Sequence, residues 1–535
     1  FPSAAAGAAA PAPRVAGPSS PRKRVLTADH SKFDALKKPF ASGQEVTAAC
    51  LACHTEAGDQ VMHTLHFAWD YKHPKTGQQL GKAKVVNSFC GNVAANEARC
   101  TSCHAGYGWT DVRKSSASQG VVPDCLACHD RSGQYQKLED AAGLPALAPL
   151  KPNARTITGV KATPVDLNKA ALSVGQPTAK NCGACHFYGG GGDNVKHGDL
   201  SSALFDAKRD VDVHMSKDGA GLACVDCHVS NGHQVAGSRY DAKVEDHPHL
   251  KPGERRDVAT CQSCHSERPH KANFPGVKLN DHTDRLACQS CHIPSFARGG
   301  VATKTWWDWS TAGKLKDGKP IVVDGYHQGD GKPRDTYLST KGDFKWGENV
   351  TPHYAWFDGQ VRYANTDKKI DPSDWVDVNE IKGSPDDPHS RIWPFKRMEG
   401  KQAYDVESKE FVYNHVWGPK TDTALWTNFN WEKSIKAAMD YVGEPYSGKF
   451  DFARTRMYWP ITHMVAPKKQ AVRCEECHAR DGRMATVAGL YIPGATPSLG
   501  GKLGLLALLA ALAGVLGHGA LRLFARMRGQ GGHHG

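Results

Sequence analysis

A chain of 535 residues is long enough for several domains. With 54 glycines, 31 prolines and 8% aromatic residues, it does not read as one built on long helices or large sheets around a side-chain core. The formal charge is +12, and sixteen of the 17 cysteines fall in one repeated motif, which excludes a disulfide framework. Each copy ends in a histidine, and eight such copies do not fit zinc sites, which need further ligands in pairs.

In chain order, Phe1 to Ser20 is rich in Ala, Pro, Gly and Ser. It reads as the remnant left after signal-peptide removal or as a spacer, so residues 1–29 are expected to be flexible. From 30 to 300 come seven copies of C-x-x-C-H: Cys50-Cys53-His54, Cys100-Cys103-His104, Cys125-Cys128-His129, Cys182-Cys185-His186, Cys224-Cys227-His228, Cys261-Cys264-His265 and Cys288-Cys291-His292. An eighth, Cys474-Cys477-His478, lies in 473–490. In this motif two thioethers pin a heme and the histidine binds its iron. Eight covalent hemes c are therefore expected. Their propionates carry about sixteen negative charges. The basic excess is then internal compensation, and nucleic-acid binding is excluded. The hemes also supply the apolar core that the composition lacks. DRLACQSCH and GLACVDCH read as short helical turns, the intervening stretches as Pro/Gly loops, with little strand. Heme attachment of this kind occurs outside the bacterial cytoplasmic membrane, so the chain is exported.

Residues 301–472 carry no motif but hold eleven of the 13 tryptophans. They read as a cap packing on heme faces, with one helix at Trp431 to Tyr441, whose apolar positions are Ile435, Ala438 and Met439. Leu503 to Leu521 is apolar apart from His518 and is followed by Arg522, Arg526 and Arg528. Residues 500–526 are thus expected to form a transmembrane anchor with the C-terminus in the cytoplasm, and 527–535 a disordered tail. The expected fold class is mainly α with much irregular loop, organised around eight hemes, plus a C-terminal transmembrane helix.

Each electron-transfer iron wants a second axial ligand beyond its motif histidine. Sixteen further histidines precede the tail, and seven lie best placed near a motif: His66, His197, His214, His233, His270, His282 and His463. Seven distal histidines leave one heme with another ligand. The stretch CGACHFYGGGGDNVKHGDL sets Asp193, Lys196 and His197 behind four glycines beside a heme. Lys196 is the natural candidate, binding iron as a neutral amine of depressed pKa. The odd cysteine, Cys90, lies ten residues ahead of Cys100, where a free thiol beside an open heme can exchange with a sulfur substrate.

The eight motifs, their spacing and CGACHFYGGGGDNVKHGDL resemble the octaheme tetrathionate reductase family, over roughly His30 to His478. The resemblance implies that the catalytic heme is the one held by Cys100 and Cys103. It also implies that Lys196 is that heme's unusual ligand, either opposite His104 or in its place, and that Asp193 and Cys90 lie nearby. The implied activities are tetrathionate to thiosulfate, and nitrite or hydroxylamine to ammonium. The implied partner is a quinol dehydrogenase or a small cytochrome. The C-terminal anchor departs from the soluble pattern of that family. An oxidative hydroxylamine oxidoreductase and a non-catalytic electron conduit are the alternative readings. A location on the periplasmic face of the membrane follows from export and the anchor.

Overall fold

The computed structural model describes residues 27–240, 260–365, 367–493, 495–496 and 499–530. Most of the expected N-terminal flexible segment lies outside them. The chain divides into two compact units, Phe1–Ala471 and Val472–Gly535.

In the first unit six of the seven heme motifs meet short helices, α1 (Gly43–Leu51), α2 (Glu97–Cys100), α3 (Cys125–His129), α4 (Ala179–His186), α5 (Cys224–Cys227) and α7 (Gln289–His292), with α6 (Phe274–His282) between the last two, and the remaining motif starts on a 3-10 turn (Cys261–Ser263). The caps are encoded locally. The side chains of Ser42, Asp124 and Asn273 accept from the amides of Glu45, Ala127 and Gly276 at the starts of α1, α3 and α6. Thr178 and Asn181 close a capping box on α4.

The expectation of little strand is corrected. Residues 303–460 build a nine-stranded mixed sheet. Its strands are β1 (Thr303–Asp308), β2 (Val322–His327), β3 (Pro333–Leu338), β4 (Gly342–Gly347), β5 (His353–Phe357), β6 (Val376–Asp377), β7 (Arg391–Asp405), β8 (Glu410–Phe411) and β9 (Phe450–Pro460). Their order is β6-β9-β7-β1-β4-β3-β2, with β5 and β8 also paired to β7. β7 and β9 pair antiparallel over eleven residues, from Phe395↔Pro460 to Asp405↔Phe450. Along β9, buried Ala453, Thr455 and Met457 alternate with Arg454 and Arg456, the period of two expected of a half-buried strand, before Tyr458 and Trp459 are both buried. Several of the tryptophans enter the sheet core: Trp307, Trp309, Trp393 and Trp459 pack with Phe344, Phe395, Met398 and Met457. The stretch read as helical is α8 (Trp431–Val442), which buries Ser434, Ile435, Ala438 and Met439 and ends on Gly443 at φ 78°.

The same core takes in Val85, Val86, Phe89 and Val195 from the heme region. The sheet is thus the platform against which the segments carrying Cys90 and Lys196 are pressed.

The second unit holds the eighth motif on α9 (Cys474–Cys477) and the helix α10 (Leu499–Gln530). Within α10, Leu499–Arg528 contains an 18-residue window of mean hydropathy 2.0, none of it buried, so by length and composition it can cross a membrane. Residues 527–530, expected in a disordered tail, continue this helix, because nothing from Arg522 onward breaks it. Residues 531–535 lie outside the described set.

Candidate active site

None of the motif cysteines, all among the described residues, is in a disulfide, which leaves each free for a thioether to heme. Six motif histidines each face a second histidine. His54 faces His30, His186 faces His66 and His129 faces His233, with ring centroids 6.1, 6.1 and 6.4 Å apart. His265 faces His214, His228 faces His463 and His292 faces His270, at 6.2, 6.1 and 6.2 Å. A metal bonded to two imidazoles at about 2 Å each puts their centroids roughly 6 Å apart, so these donor sets fit bis-histidine hemes.

Hydrogen bonds hold the rings in place by Nδ1, which leaves Nε2 for metal. His129 and His228 donate to the carbonyls of Gly175 (2.9 Å) and Ala236 (2.8 Å). His233 is held by Gln60 Oε1 at 2.9 Å and His270 by Asn280 Oδ1 at 3.0 Å. His463 meets Asp199 Oδ2 at 3.1 Å, and the same carboxylate oxygen accepts from the amides of Thr462 and His463. Burial opposes charge on His463, but Asp199 outweighs it and raises the pKa.

Five of the seven histidines singled out in the sequence, His66, His214, His233, His270 and His463, lie in these pairs. His282 ends α6 with Nδ1 2.6 Å from the Lys278 carbonyl. His197 lies edge-on to Trp459, 5.2 Å between centroids, rather than against a motif histidine. His30 was not singled out, because nothing local in the sequence distinguishes it. Asp199 was also missed, although it sits inside the quoted glycine-rich stretch. His73, not singled out in the sequence, has both ring nitrogens engaged: its Nε2 donates to the Tyr240 carbonyl at 3.0 Å and its Nδ1 accepts from the amides of Lys75 and Thr76.

His104 departs from this pattern. Its ring stacks on Trp69 with centroids 3.5 Å apart and planes 13° from parallel, too close for a metal between them. Its amide bonds the Thr101 carbonyl, whereas those of His54, His228, His265, His292 and His478 bond the first cysteine of their own motif. Lys137 Nζ holds the His104 carbonyl at 2.6 Å.

Lys196 lies close enough to Cys103 for the two to act on each other electrostatically. Its ammonium sits 4.9 Å from the ring of Trp459, whose face also meets Arg239 at 5.0 Å. Burial, with Arg239 and Lys82 nearby, holds the Lys196 amine well below the usual lysine range. Gly190, at φ +80°, lets the loop close over it: a Cβ there would fall 3.2 Å from Phe89 and 3.3 Å from the Lys196 Cβ. From β7, the fully buried Lys396 fixes the same loop. Its Nζ donates to the carbonyls of Val195 (2.8 Å) and Lys196 (3.1 Å) and to Thr303 Oγ1 (2.7 Å). Thr303 Oγ1 in turn donates to the Asn194 carbonyl at 2.6 Å.

Cys90 acts electrostatically on Cys100 and on two lysines, Lys304 and Lys341. Asp193 accepts from the Ser202 amide at 2.9 Å and from the Ser202 hydroxyl, and it faces Arg334. Its carboxylate therefore closes the loop on itself at the far end from Lys196.

Thiol contacts give the motifs an order. Cys50 meets Cys125, Cys103 meets Cys185, Cys182 meets Cys224 and Cys261 meets Cys288. Weaker influences join Cys128 to Cys182 and Cys227 to Cys264. Six motifs of the first unit thus form one series, and the seventh, holding His104, branches from the one on α4.

Two family models match parts of this chain: "Cytochrome c bacterial" over residues 304–481, and "Outer membrane cytochrome MtrC/MtrF-like, domains II/IV" over residues 92–271. The crystal structure of the octaheme cytochrome c from Shewanella oneidensis is similar, with a TM-score of 0.70 and 37% identity, over 86% of this chain and 95% of that one. An uncharacterized protein of Archaeoglobus fulgidus is 28% identical over 220 residues. That match takes in 37% of this chain and 66% of the relative, just short of two thirds of its length.

Proposed function

This chain belongs to the multiheme cytochromes c, and from that premise we propose an exported octaheme reductase of small oxidised sulfur or nitrogen compounds. Its catalytic heme is the one attached at Cys100 and Cys103. The observation that carries this reading is the exception at His104: among the described residues of the first unit, six motif histidines face a second histidine and His104 faces Trp69 instead. Lys196, beside Cys103, then takes the place of His104, an option the sequence leaves open. Eight hemes are supported by the eight motifs and by the octaheme relative.

The hemes, when bound, would supply iron that exchanges single electrons and, at this centre, could bind the substrate. The chain supplies the rest. Lys82 and Arg239 bring positive charge beside the Lys196 amine, which suits an anion such as tetrathionate or nitrite. Trp459, Phe89 and Trp69 wall the site with apolar surface that excludes water. The Cys90 thiol stands close by for a substrate containing an S–S bond. Asp193, proposed from the sequence to handle protons, braces the loop that presents Lys196. A non-catalytic conduit has no need of a motif histidine stacked on a tryptophan.

Turnover by reduced protein with tetrathionate, nitrite and hydroxylamine in parallel tests the reading. Reduction of at least one is expected, with Cys90→Ala impairing tetrathionate more than nitrite. Inactivity toward all three leaves the conduit reading ahead.

The length of α10 and the arginines at its end support an anchor with the hemes on the periplasmic face, where a membrane quinol dehydrogenase or a small cytochrome can reduce them. Truncation after Pro497 is expected to move the protein from the membrane to the soluble fraction with its heme content unchanged. Retention in the membrane fraction contradicts this.

A further inference from the structure

One buried charge pair lies between two heme motifs and takes no part in the proposed reaction. Lys137 and Asp124 are 4% and 2% exposed, and Lys137 Nζ stands 3.2 Å from Asp124 Oδ2. The carboxylate is fully engaged. Its Oδ2 also accepts from the Tyr135 hydroxyl at 2.9 Å, and its Oδ1 accepts from the Tyr107 hydroxyl at 2.7 Å and the Ala127 amide at 3.0 Å. Asp124 is thereby fixed on two sides, by two tyrosines and by the start of α3, which carries Cys125 to His129. Among the described residues, the other partner of the ammonium is the His104 carbonyl, at 2.6 Å. That carbonyl is where His104 parts from the other motifs. His54, His129 and His292 give their carbonyls to backbone amides, those of Ala57, Gly175 and Ala466. The His104 backbone also leaves its motif extended, at ψ 153°, where His228 and His478 turn at ψ 67° and 46°. The next residues keep this course: the Ala105 amide donates to the His66 carbonyl at 2.9 Å, and the Asp124 amide to the Ala105 carbonyl at 3.0 Å. A buried ion pair is weak evidence of stability, and this one directs its donor at a single carbonyl, which points to a positioning task.

We infer that Lys137, anchored by Asp124, is the positioning residue that keeps the His104 imidazole on Trp69 and off the iron, leaving that axial place to Lys196. The inference rests on the proposed reading of Lys196 as the ligand of that heme. His104 is held at its carbonyl by Lys137, at its amide by the Thr101 carbonyl and at its ring by Trp69. In that grip it does not take the turn by which His228 and His478 close on the first cysteine of their motifs. Without the ammonium, the His104 peptide is free to turn. The imidazole then competes well for the iron. It follows Cys103 directly, so its effective concentration at that heme is high, and near neutral pH it binds metal without first losing a proton, as an ordinary amine must.

The test uses the heme-loaded full chain and reads the ferric heme spectra alongside turnover. Lys137→Met is expected to change the spectrum of one heme, to leave the others as they are, and to lower turnover by about tenfold or more. Lys137→Met/Lys196→Leu is expected to match Lys137→Met, since the amine no longer serves the iron. Lys137→Met/His104→Leu is expected to regain the wild-type spectrum, since removing the imidazole returns the place to Lys196. A merely structural role gives no such return. Lys137→Met/Asp124→Asn leaves no unpaired carboxylate buried and is expected to show the same spectral change as Lys137→Met. Unchanged heme spectra in a folded Lys137→Met protein overturn the inference, and so does a changed spectrum that His104→Leu does not restore. Loss of the fold in both Lys137→Met and Lys137→Met/Asp124→Asn also overturns it, in favour of a structural pair. If Lys196→Leu alone changes no spectrum, the reading of Lys196 fails and the inference falls with it. If Lys196→Leu changes one heme and Lys137→Met changes none, that reading stands and Lys137 has no positioning role.

Discussion

Lys196→Leu is expected to alter the spectrum of one heme, to leave the other hemes unchanged, and to lower turnover by about 10²-fold or more. Leucine keeps the approximate volume, so the packing against Trp459 and under Gly190 survives, and the substitution removes an amine and little else. The amine is the group in this structure fitted to stand where His104 does not. His104 is committed to Trp69 by a 3.5 Å stack and to Lys137 through its carbonyl. A spectrum that does not change in Lys196→Leu would mean that the lysine serves only as one of several positive charges.

Lys396→Met is expected to perturb that same heme, although Lys396 touches no heme motif. Its ammonium satisfies three acceptors in a fully buried position, two of them the carbonyls flanking Lys196. Methionine fills most of the space but leaves those carbonyls and Thr303 Oγ1 without their donor. Stranding buried partners in this way costs about 1–3 kcal/mol per group, and the loop from Asn194 to His197 is free to move to recover the bonds. A purely structural role predicts lower thermal stability with all heme spectra intact. A positioning role predicts a changed spectrum at one heme and a lower kcat with stability recovered on added ligand. Lys396→Arg retains the charge, but its wider planar group does not match three converging acceptors, so partial rescue is expected.

Much of this was readable in the residues. The eight motifs are local and repeated, and the chemistry of heme attachment demands cysteine and histidine at fixed spacing, so they identify themselves. Five distal histidines lay close in sequence to some motif, but the motif each one faces is usually a different one: His66 follows Cys50–His54 and faces His186, and His233 follows Cys224–His228 and faces His129. Pairing depends on how the short helices pack, which spacing does not encode. His30 was missed for the same reason. The sheet was missed because its tryptophans were assigned to hemes. The alternation of Ala453, Thr455 and Met457 with arginines was present but short, and its partner β7 is nearly all buried and shows no clean period. Lys196 stood out from the glycines before it. Lys396, which holds it, could not have, since a lysine in a strand usually points to solvent and only the tertiary fold turns this one inward. Asp193 reads as catalytic from its neighbours in sequence, and in the folded chain it also accepts from the Ser202 amide and hydroxyl.

The central claim, that one heme is served by Lys196 and not by two histidines, is met most directly by a crystal structure of the heme-loaded protein at the iron beside Cys100 and Cys103. The expected result is Lys196 Nζ at about 2 Å from that iron, with His104 stacked on Trp69. An iron ligated by His104, with Lys196 turned away from it, would contradict the claim.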